Sequence, residues 1–163
     1  LAAIKLLFFA DRYHIRKYGR LISDDVYFAL PHGPVASNSL DILNIVMNGH
    51  SAGVDKAYLK RESANAFVSV DSEYDFEYLS DSDIEALDFT IENFSSYETW
   101  KLRNLTHEYP EWKRYKSTLE SNLSRREKII MDDFFKNADL EDDPYSVITD
   151  KTVELSKEFY FNR

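Results

Sequence analysis

The length, composition and charge of the chain exclude several classes of protein. Its 163 residues, of which 44% are hydrophobic and 15% aromatic, are enough for one folded domain that buries a core of its own. The lack of cysteine excludes disulfides, zinc–thiolate sites and thiol nucleophiles. The net charge of −9 argues against nucleic-acid binding as the main role, because phosphate binding needs Lys and Arg. It is compatible with a protein partner, especially a basic one.

The sequence gives no sign of a membrane segment. No apolar run approaches the length of a transmembrane helix, and the N-terminal stretch LAAIKLLFFADRYH becomes charged too soon for a signal peptide. We therefore expect a cytoplasmic protein with no membrane partner.

The first part of the chain predicts a helix, a strand and a second helix. Residues 1–18 carry apolar side chains at helical spacing, and Gly19 is placed to end that helix. Residues 26–30 have the β-branched and aromatic composition of a strand, which Pro31 ends. We expect Ser37 or Ser39 to cap the second helix, which would end at an Asn-Gly pair.

The middle of the chain predicts a small antiparallel sheet. Residues 57–59 and 66–70 flank the polar turn RESAN, and both stretches have strand composition. Residues 74–78 alternate aromatic and acidic side chains, as a half-exposed strand does. We expect these strands to form one sheet, joined by residues 26–30.

Three further helices are predicted from their start signals. Ser80 and Asp83 have the spacing of a capping box, and so do Ser95 and Glu98. Pro110 suits the first position of the third helix. The apolar side chains expected on these helices are Ile84, Leu87, Ile91 and Phe94 on the first, Trp100, Leu102 and Leu105 on the second, and Trp112, Tyr115 and Leu119 on the third.

The C-terminal part predicts helices over 129–135 and 149–161, separated by a loop at 139–145. The predicted fold class is therefore α+β and mainly α-helical: a helical domain with a small antiparallel β-sheet or hairpin.

The histidines were considered first as metal ligands. A metal-dependent hydrolase would need Asp11, His14, His32 and His107 to converge, but the spacing gives no helical His pair. The stretch HEYPE at 107–111 ends in Glu and contains a proline, so it is not the metalloprotease helix. No catalytic residue, metal or cofactor is predicted, and the chain is interpreted as a non-enzyme with the hydrolase kept as an alternative.

Asp11 and His14 lie one helical turn apart and could form an acid–base pair. The favoured interpretation is a buried polar network in which Asp11 accepts hydrogen bonds from backbone donors or from Arg12, His32 or His107.

The stretch ALPHGPVA at 29–36 is expected to be a rigid elbow between a strand and a helix. Pro31 and Pro34 restrict the backbone, and Gly33 permits a close approach. We expect buried partners to hold the His32 ring, which would lock the first helix to the segment around His107.

Four separate motifs carry a family resemblance. They read A-D-R-x-H, Y-x-A-L-P-H-G-P-V, L-S-x-x-D and L-T-H-x-x-P-x-W, and they occur in that order between Ile4 and Tyr115. The chain resembles the SocA-like antitoxin family, the Panacea domain. We therefore expect a Panacea-like domain over 1–116 and, over 117–163, a C-terminal helical extension packed on the same domain.

The resemblance implies a mainly helical antitoxin of a two-gene toxin–antitoxin system from a bacterium or a phage. Such a protein neutralises a cognate protein toxin by direct binding. Some relatives deliver their toxin to a protease, so a protease is a second expected partner, and a proteolytic adaptor or phage accessory protein is an alternative function. The sequence shows no added DNA-binding domain, so no direct nucleic-acid contact is expected. The candidate binding or structural polar network comprises Asp11, Arg12, His14, Tyr27, Pro31, His32, Gly33, Pro34, Thr106, His107 and Trp112.

Overall fold

The computed structural model describes residues 2–48, 59–63, 66–69 and 76–163. Within these ranges the chain forms seven α-helices, five β-strands and three 3-10 helices. The α-helices are α1 (Ala2–Tyr18), α2 (Ser37–Met47), α3 (Asp81–Phe94), α4 (Thr99–Thr106), α5 (Pro110–Lys113), α6 (Lys116–Glu120) and α7 (Asp150–Phe161). The strands are β1 (Tyr27–Leu30), β2 (Gly33–Ala36), β3 (Leu59–Arg61), β4 (Phe67–Ser69) and β5 (Glu127–Lys128). The 3-10 helices are Phe76–Tyr78, Met131–Phe135 and Pro144–Val147. The predicted α+β, mainly α-helical class is confirmed.

The strands form two small antiparallel sheets. Strand β1 lies in the middle of the first sheet, in the order β2-β1-β5, and β3 pairs with β4 in the second. Strands β1 and β2 form a hairpin in which Tyr27 lies opposite Ala36 and Leu30 lies opposite Gly33. The prediction that residues 26–30 join the middle strands was wrong, because β2 and the C-terminal strand β5 occupy the two edges of β1.

Helix α1 runs through the centre of the described structure. It packs against α3, α4, α7 and β2, and every residue from Phe8 to Arg16 is buried. Gly19 ends the helix as predicted, with φ +72°, and its amide donates to the Ile15 carbonyl at 2.9 Å. Because α1 is covered on all sides, its charged side chains need partners inside the protein.

Aromatic rings fill the space around α1. Phe9 stacks on Phe94 with their ring centroids 4.1 Å apart. The centroid of Phe8 lies 6.0 Å from that of Tyr27 and 5.8 Å from that of Phe134. These rings come from α1, α3, β1 and the second 3-10 helix, so elements far apart in sequence share one core.

Residues 117–163 contribute to this core. Phe134, Tyr145 and Val153 are buried, and α7 packs directly on α1. The helix predicted over 149–161 is observed as α7, which the Thr149 side chain caps by accepting a hydrogen bond from the amide at 152, with the two atoms 3.2 Å apart. The division of the chain at residue 116 stays a prediction.

A carboxylate from outside α2 caps that helix. Asp25 accepts hydrogen bonds from the amides of Asn38, at 3.0 Å, and Ser39, at 2.8 Å. The prediction that Ser37 or Ser39 caps the helix was wrong, because Asp25 already satisfies the free amides of the first turn.

Helix α3 begins at the predicted capping box and buries part of the predicted face: Phe94 is buried, and Ile84 and Leu87 are half-buried. The Ser80 hydroxyl accepts a hydrogen bond from the Asp83 amide, and the Ser80 amide donates to the Asp83 carboxylate. Ala86 and Thr90 are buried against the core, whereas Ile91 is 57% exposed. The small side chains let α3 approach α1 closely, and the spacing of large apolar residues does not reveal this preference.

Other predicted elements are also corrected. Ser95 follows α3 and its hydroxyl donates to the Ile91 carbonyl at 2.6 Å, so it does not cap α4. The helix predicted from Pro110 is split into α5 and α6. The helix predicted over 129–135 is a 3-10 helix over Met131–Phe135 only. The Ile129 amide donates to the Tyr27 carbonyl at 3.0 Å, so this residue continues the hydrogen bonding of the sheet and is not helical.

Some predictions lie partly outside the described residues. These are Gly49 of the Asn-Gly pair, residues 57–58 and 70 of two predicted strands, and residues 74–75 of a third. The described end of that third strand, Phe76–Tyr78, is a 3-10 helix, since alternating polarity alone does not supply a partner strand. None of the helices in the described ranges has both the length and the apolar character needed to span a membrane.

Candidate functional site

Asp11 fixes the chain that follows α1. This buried carboxylate accepts hydrogen bonds from the amides of Ile22, at 2.6 Å, and Ser23, at 3.0 Å, and from the Tyr27 hydroxyl, at 2.7 Å. The Ser23 hydroxyl donates a fourth bond. Burial raises the pKa of Asp11 in spite of these donors. Asp11 therefore ties α1 to the loop before β1 and to β1 itself.

The side-chain partners predicted for Asp11 are wrong. Arg12 follows it on the helix and points about 100° away, towards another set of acceptors. His32 and His107 lie at the β1–β2 hairpin and at the end of α4. The donors come instead from the segment that follows α1 in sequence, which can fold back directly onto it.

Arg12 forms the most deeply buried ion pair of the described structure. Its guanidinium pairs with Glu111 of α5, and both side chains are completely buried. It also donates to the Lys136 carbonyl at 2.7 Å. The Arg12 guanidinium lies 4.6 Å from the ring centroid of Tyr109 and 5.2 Å from that of Tyr145, so two aromatic faces enclose the charge.

Arg16, one turn further along α1, binds the same C-terminal segment. It donates to the carbonyls of Phe134, at 3.1 Å, and Lys136, at 2.9 Å, and to the Asn137 side-chain oxygen, at 2.5 Å. Two arginines of α1 thus bind backbone acceptors that no regular secondary structure satisfies.

His14 links α1 to the start of α3. Its Nδ1 lies 2.9 Å from the Arg20 carbonyl, and its Nε2 lies 2.9 Å from the Ser82 hydroxyl. A carbonyl can only accept, so Nδ1 carries a proton and donates it to Arg20, while Nε2 also lies 3.3 Å from the Asp83 carboxylate. Burial lowers the pKa of His14, which agrees with a neutral ring. Both nitrogens are engaged, and in the described structure neither is bonded to Asp11.

Gly33 lies at the tip of the β1–β2 hairpin and is required there. Its φ of +103° is in the region that favours glycine. A Cβ on this residue would lie 2.5 Å from the Thr106 hydroxyl and 2.8 Å from the Lys5 ammonium nitrogen. Lys5 is completely buried and donates to the Pro34 carbonyl at 2.9 Å. The tip of the β1–β2 hairpin is therefore packed between α1 and α4.

The expected role of His32 is wrong. Pro31 and His32 form a two-residue turn whose side chains are exposed to solvent, so no buried partner holds the imidazole. At the tip of the hairpin, the residue that bonds to it from α1 is Lys5. The elbow predicted over 29–36 is a hairpin, because β2 returns antiparallel to β1 before α2 begins.

His107 and Trp112 hold the hairpin from the other side. Their rings stack with centroids 3.6 Å apart and planes at 1°. The Trp112 indole N–H donates to the Leu30 carbonyl at 2.8 Å, and the Thr106 hydroxyl donates to the Arg103 carbonyl at 2.7 Å. Burial, followed by the charge of Arg103, lowers the pKa of His107 to about 4, so this ring is neutral.

The four residues of the hydrolase alternative are not brought together. Asp11 and His14 are each engaged with other partners, whereas His32 lies in the hairpin turn and His107 ends α4. Across residues 2–48, 59–63, 66–69 and 76–163, no three His, Asp or Glu side chains are grouped as ligands of a metal ion. His50 lies outside the described residues.

Comparison with known families shows the family to which this chain belongs. The sequence model of the family described as "Antitoxin SocA-like, Panacea domain" matches residues 4–113, more than half of the chain. The chain belongs to this family. A search of curated proteins and a search of solved structures each gave no match.

The family match covers only part of the buried polar network. Asp11, Arg12 and Glu111 lie within residues 4–113, whereas the carbonyls of Phe134 and Lys136 lie beyond them. The arginines of the matched region are therefore satisfied in part by a segment that the family match does not include.

Sequence reasoning missed several residues that the Panacea domain uses. Lys5, Arg16, Arg103 and Glu111 were not selected as site residues, because lysines, arginines and glutamates are usually exposed. A usable signal was present for Lys5, since its neighbours on the helix, residues 4 and 6–9, are all apolar. Lys5 and Arg16 both bond backbone carbonyls, which have no signature in a sequence.

We predict that Glu111→Gln is strongly destabilising. The substitution leaves the Arg12 charge buried without its counter-ion, which typically costs about 3–5 kcal/mol in the free energy of unfolding. Urea denaturation of the purified protein measures this loss. Glu108→Gln is the matched control, since its pair with Lys113 is about half exposed and such pairs contribute about 0–1 kcal/mol. Equal losses in the two variants would contradict the account.

We also predict a pH dependence of stability from Lys5. Burial, followed by the charge of Arg103, lowers the pKa of Lys5 from 10.5 to about 7. Between these values the unfolded chain binds a proton that the folded chain lacks, so this group makes stability rise with pH. Between about pH 7 and 9, the free energy of unfolding of Lys5→Met should rise with pH less steeply than that of the wild type. The two slopes should differ by up to about 1.4 kcal/mol per pH unit.

Lys17→Met is the control for this series. Its hydrogen bond with Glu85 raises the pKa of Lys17, so Lys17 is charged in both folded and unfolded chains throughout the same pH window. The control should keep the wild-type slope. A Lys5→Met slope equal to that of the wild type would show that Lys5 titrates normally in the folded protein.

Proposed function

We propose that this chain is the antitoxin of a two-gene toxin–antitoxin system and that it neutralises a protein toxin by direct binding in the cytoplasm. The match of residues 4–113 to the SocA-like antitoxin family carries this proposal. The net charge of −9 supports a protein partner over a nucleic acid.

The hydrogen-bond partners of the buried polar groups support a binding role over a catalytic one. The carboxylate of Asp11, both nitrogens of His14 and the guanidinium of Arg12 are bonded to groups that hold helices, loops and the hairpin together. A catalytic acid or base must reach a substrate atom, and these groups are directed at the protein's own backbone and side chains.

In this proposal, residues 1–116 and 117–163 act as one body. The C-terminal segment supplies acceptors to Arg12 and Arg16 and adds β5 to the edge of the hairpin sheet. The toxin-binding surface is then the outer face of a single rigid unit.

The test is inducible expression of the neighbouring gene with and without this chain. We expect the neighbour's product alone to arrest growth and co-expression to restore it. The two proteins should copurify, and toxin activity in vitro should fall linearly until the antitoxin is equimolar, because masking by binding is stoichiometric. A harmless neighbour, or a toxin that stays active at a molar excess of this protein, would contradict the proposal. Complete inactivation by a small fraction of one equivalent would indicate an enzyme instead.

A further inference from the structure

A groove lies beside the hairpin tip, where α4 begins. Its volume is about 610 Å³ and its walls are chiefly apolar. It is lined by His32, Glu98, Thr99, Trp100 and Arg103. The Trp100 side chain is 61% exposed, which is unusual for a large aromatic residue and typical of anchors at protein interfaces. We call this feature the hairpin-tip groove.

Basic groups collect at and behind this groove. Arg103 lines it and donates a long hydrogen bond of 3.4 Å to the Pro31 carbonyl. Lys5 and His107 lie close enough that the charge of Arg103 acts on both, and His32 acts on His107. At neutral pH the charged member of this group is Arg103, because the His107 ring is neutral and burial lowers the pKa of Lys5 to about 7.

Arg103 is not paired with an acidic side chain of the described residues. Within the described residues, neither Lys5 nor Arg103 forms an ion pair, and the buried Arg103 Nε and His107 Nε2 have no hydrogen-bond partner. Glu108, whose charge acts on His107, is paired with Lys113 at 3.0 Å. The Arg103 guanidinium, which lines the groove, therefore keeps N–H donors that no carboxylate of the described residues accepts.

The start of α4 adds a further attraction for an anion. Glu98 stands at the N-cap position but makes no capping hydrogen bond, so the amides of the first turn lack a side-chain acceptor. Its carboxylate bonds the Trp100 indole N–H instead. Glu98 is thus an acidic group on the groove wall, and it opposes an incoming anion.

We propose that the hairpin-tip groove binds an acidic side chain of the toxin, an Asp or Glu that is adjacent to an apolar residue on the toxin surface. The carboxylate is received by Arg103 and the first turn of α4, and the apolar neighbour packs against Trp100. This inference rests on the proposed function, and it adds the part of the surface used and the chemistry recognised there.

The test measures the affinity of this chain for its toxin, the product of the neighbouring gene. Arg103→Gln and Trp100→Ala should each weaken binding about tenfold or more, as expected for a lost charge-assisted hydrogen bond and a lost aromatic anchor. Arg103→Lys should recover part of the loss, since it keeps the charge without the planar fork. Glu98→Gln should bind as tightly as the wild type or more tightly, because repulsion is removed.

Two controls separate recognition from folding. Arg125→Gln removes the same charge at an exposed position elsewhere and should leave the affinity unchanged. Thermal unfolding of each variant shows whether the fold survives. In a complex made with fluorotryptophan-labelled antitoxin, the fluorine resonance of Trp100 should shift on binding and that of the buried Trp112 should not.

Reciprocal changes in the toxin identify the recognised group. One Asp or Glu of the toxin, replaced by Asn or Gln, should weaken binding about as much as Arg103→Gln, and the double variant should lose no more. The group recognised could instead be the carboxylate at the C-terminus of the toxin, which extending the toxin by one residue would displace. If that extension, and no Asp or Glu substitution, weakens binding and loses its effect in Arg103→Gln, the proposal of an acidic side chain is overturned. It is also overturned if Arg103→Gln and Trp100→Ala bind like the wild type. Wild-type neutralisation would still stand in either case, so the proposed function fails only if that neutralisation fails.

Discussion

The fold depends on the burial of one helix that carries charged side chains. Helix α1 is covered on all sides, so Asp11, Arg12, His14 and Arg16 must each find partners within the protein. Their partners come from four parts of the chain: the loop after α1, α5, the start of α3 and the segment around residue 136, which Arg12 and Arg16 share. Because an unpaired buried charge costs several kcal/mol, these bonds fix the positions of the surrounding elements.

The same constraint connects the family match to the rest of the chain. The match ends at residue 113, yet the guanidinium groups of Arg12 and Arg16 are directed at carbonyls beyond it. Without residues 134–137, the backbone acceptors of these two arginines would have to be replaced by water in the interior. The C-terminal extension therefore supplies part of the framework that holds α1 and the matched region in place.

The sequence predicted the ends of helices correctly where interactions between neighbouring residues determine them. The capping box at Ser80, the glycine end of α1 and the proline start of α5 are of this kind. Predictions failed where a residue outside the element determines its structure. Asp25 lies outside α2 and caps it, and Ile129, predicted as helical, bonds to Tyr27 and continues the sheet. The candidate site divides in the same way. The motifs pointed to Asp11, Arg12 and His14, but their partners are backbone groups and a buried Glu that no spacing reveals, and His32 is exposed because the turn is a hairpin.

The central claim is that α1 unites the matched region and the C-terminal extension into one cooperative body. Native-state hydrogen exchange tests it most directly, because each amide reports the free energy of the opening that exposes it. The account predicts that the interior amides of α1, α3 and α7 exchange with the same free energy, equal to that of global unfolding. If α7 exchanges at a much lower free energy than α1, the extension opens on its own and the claim is wrong.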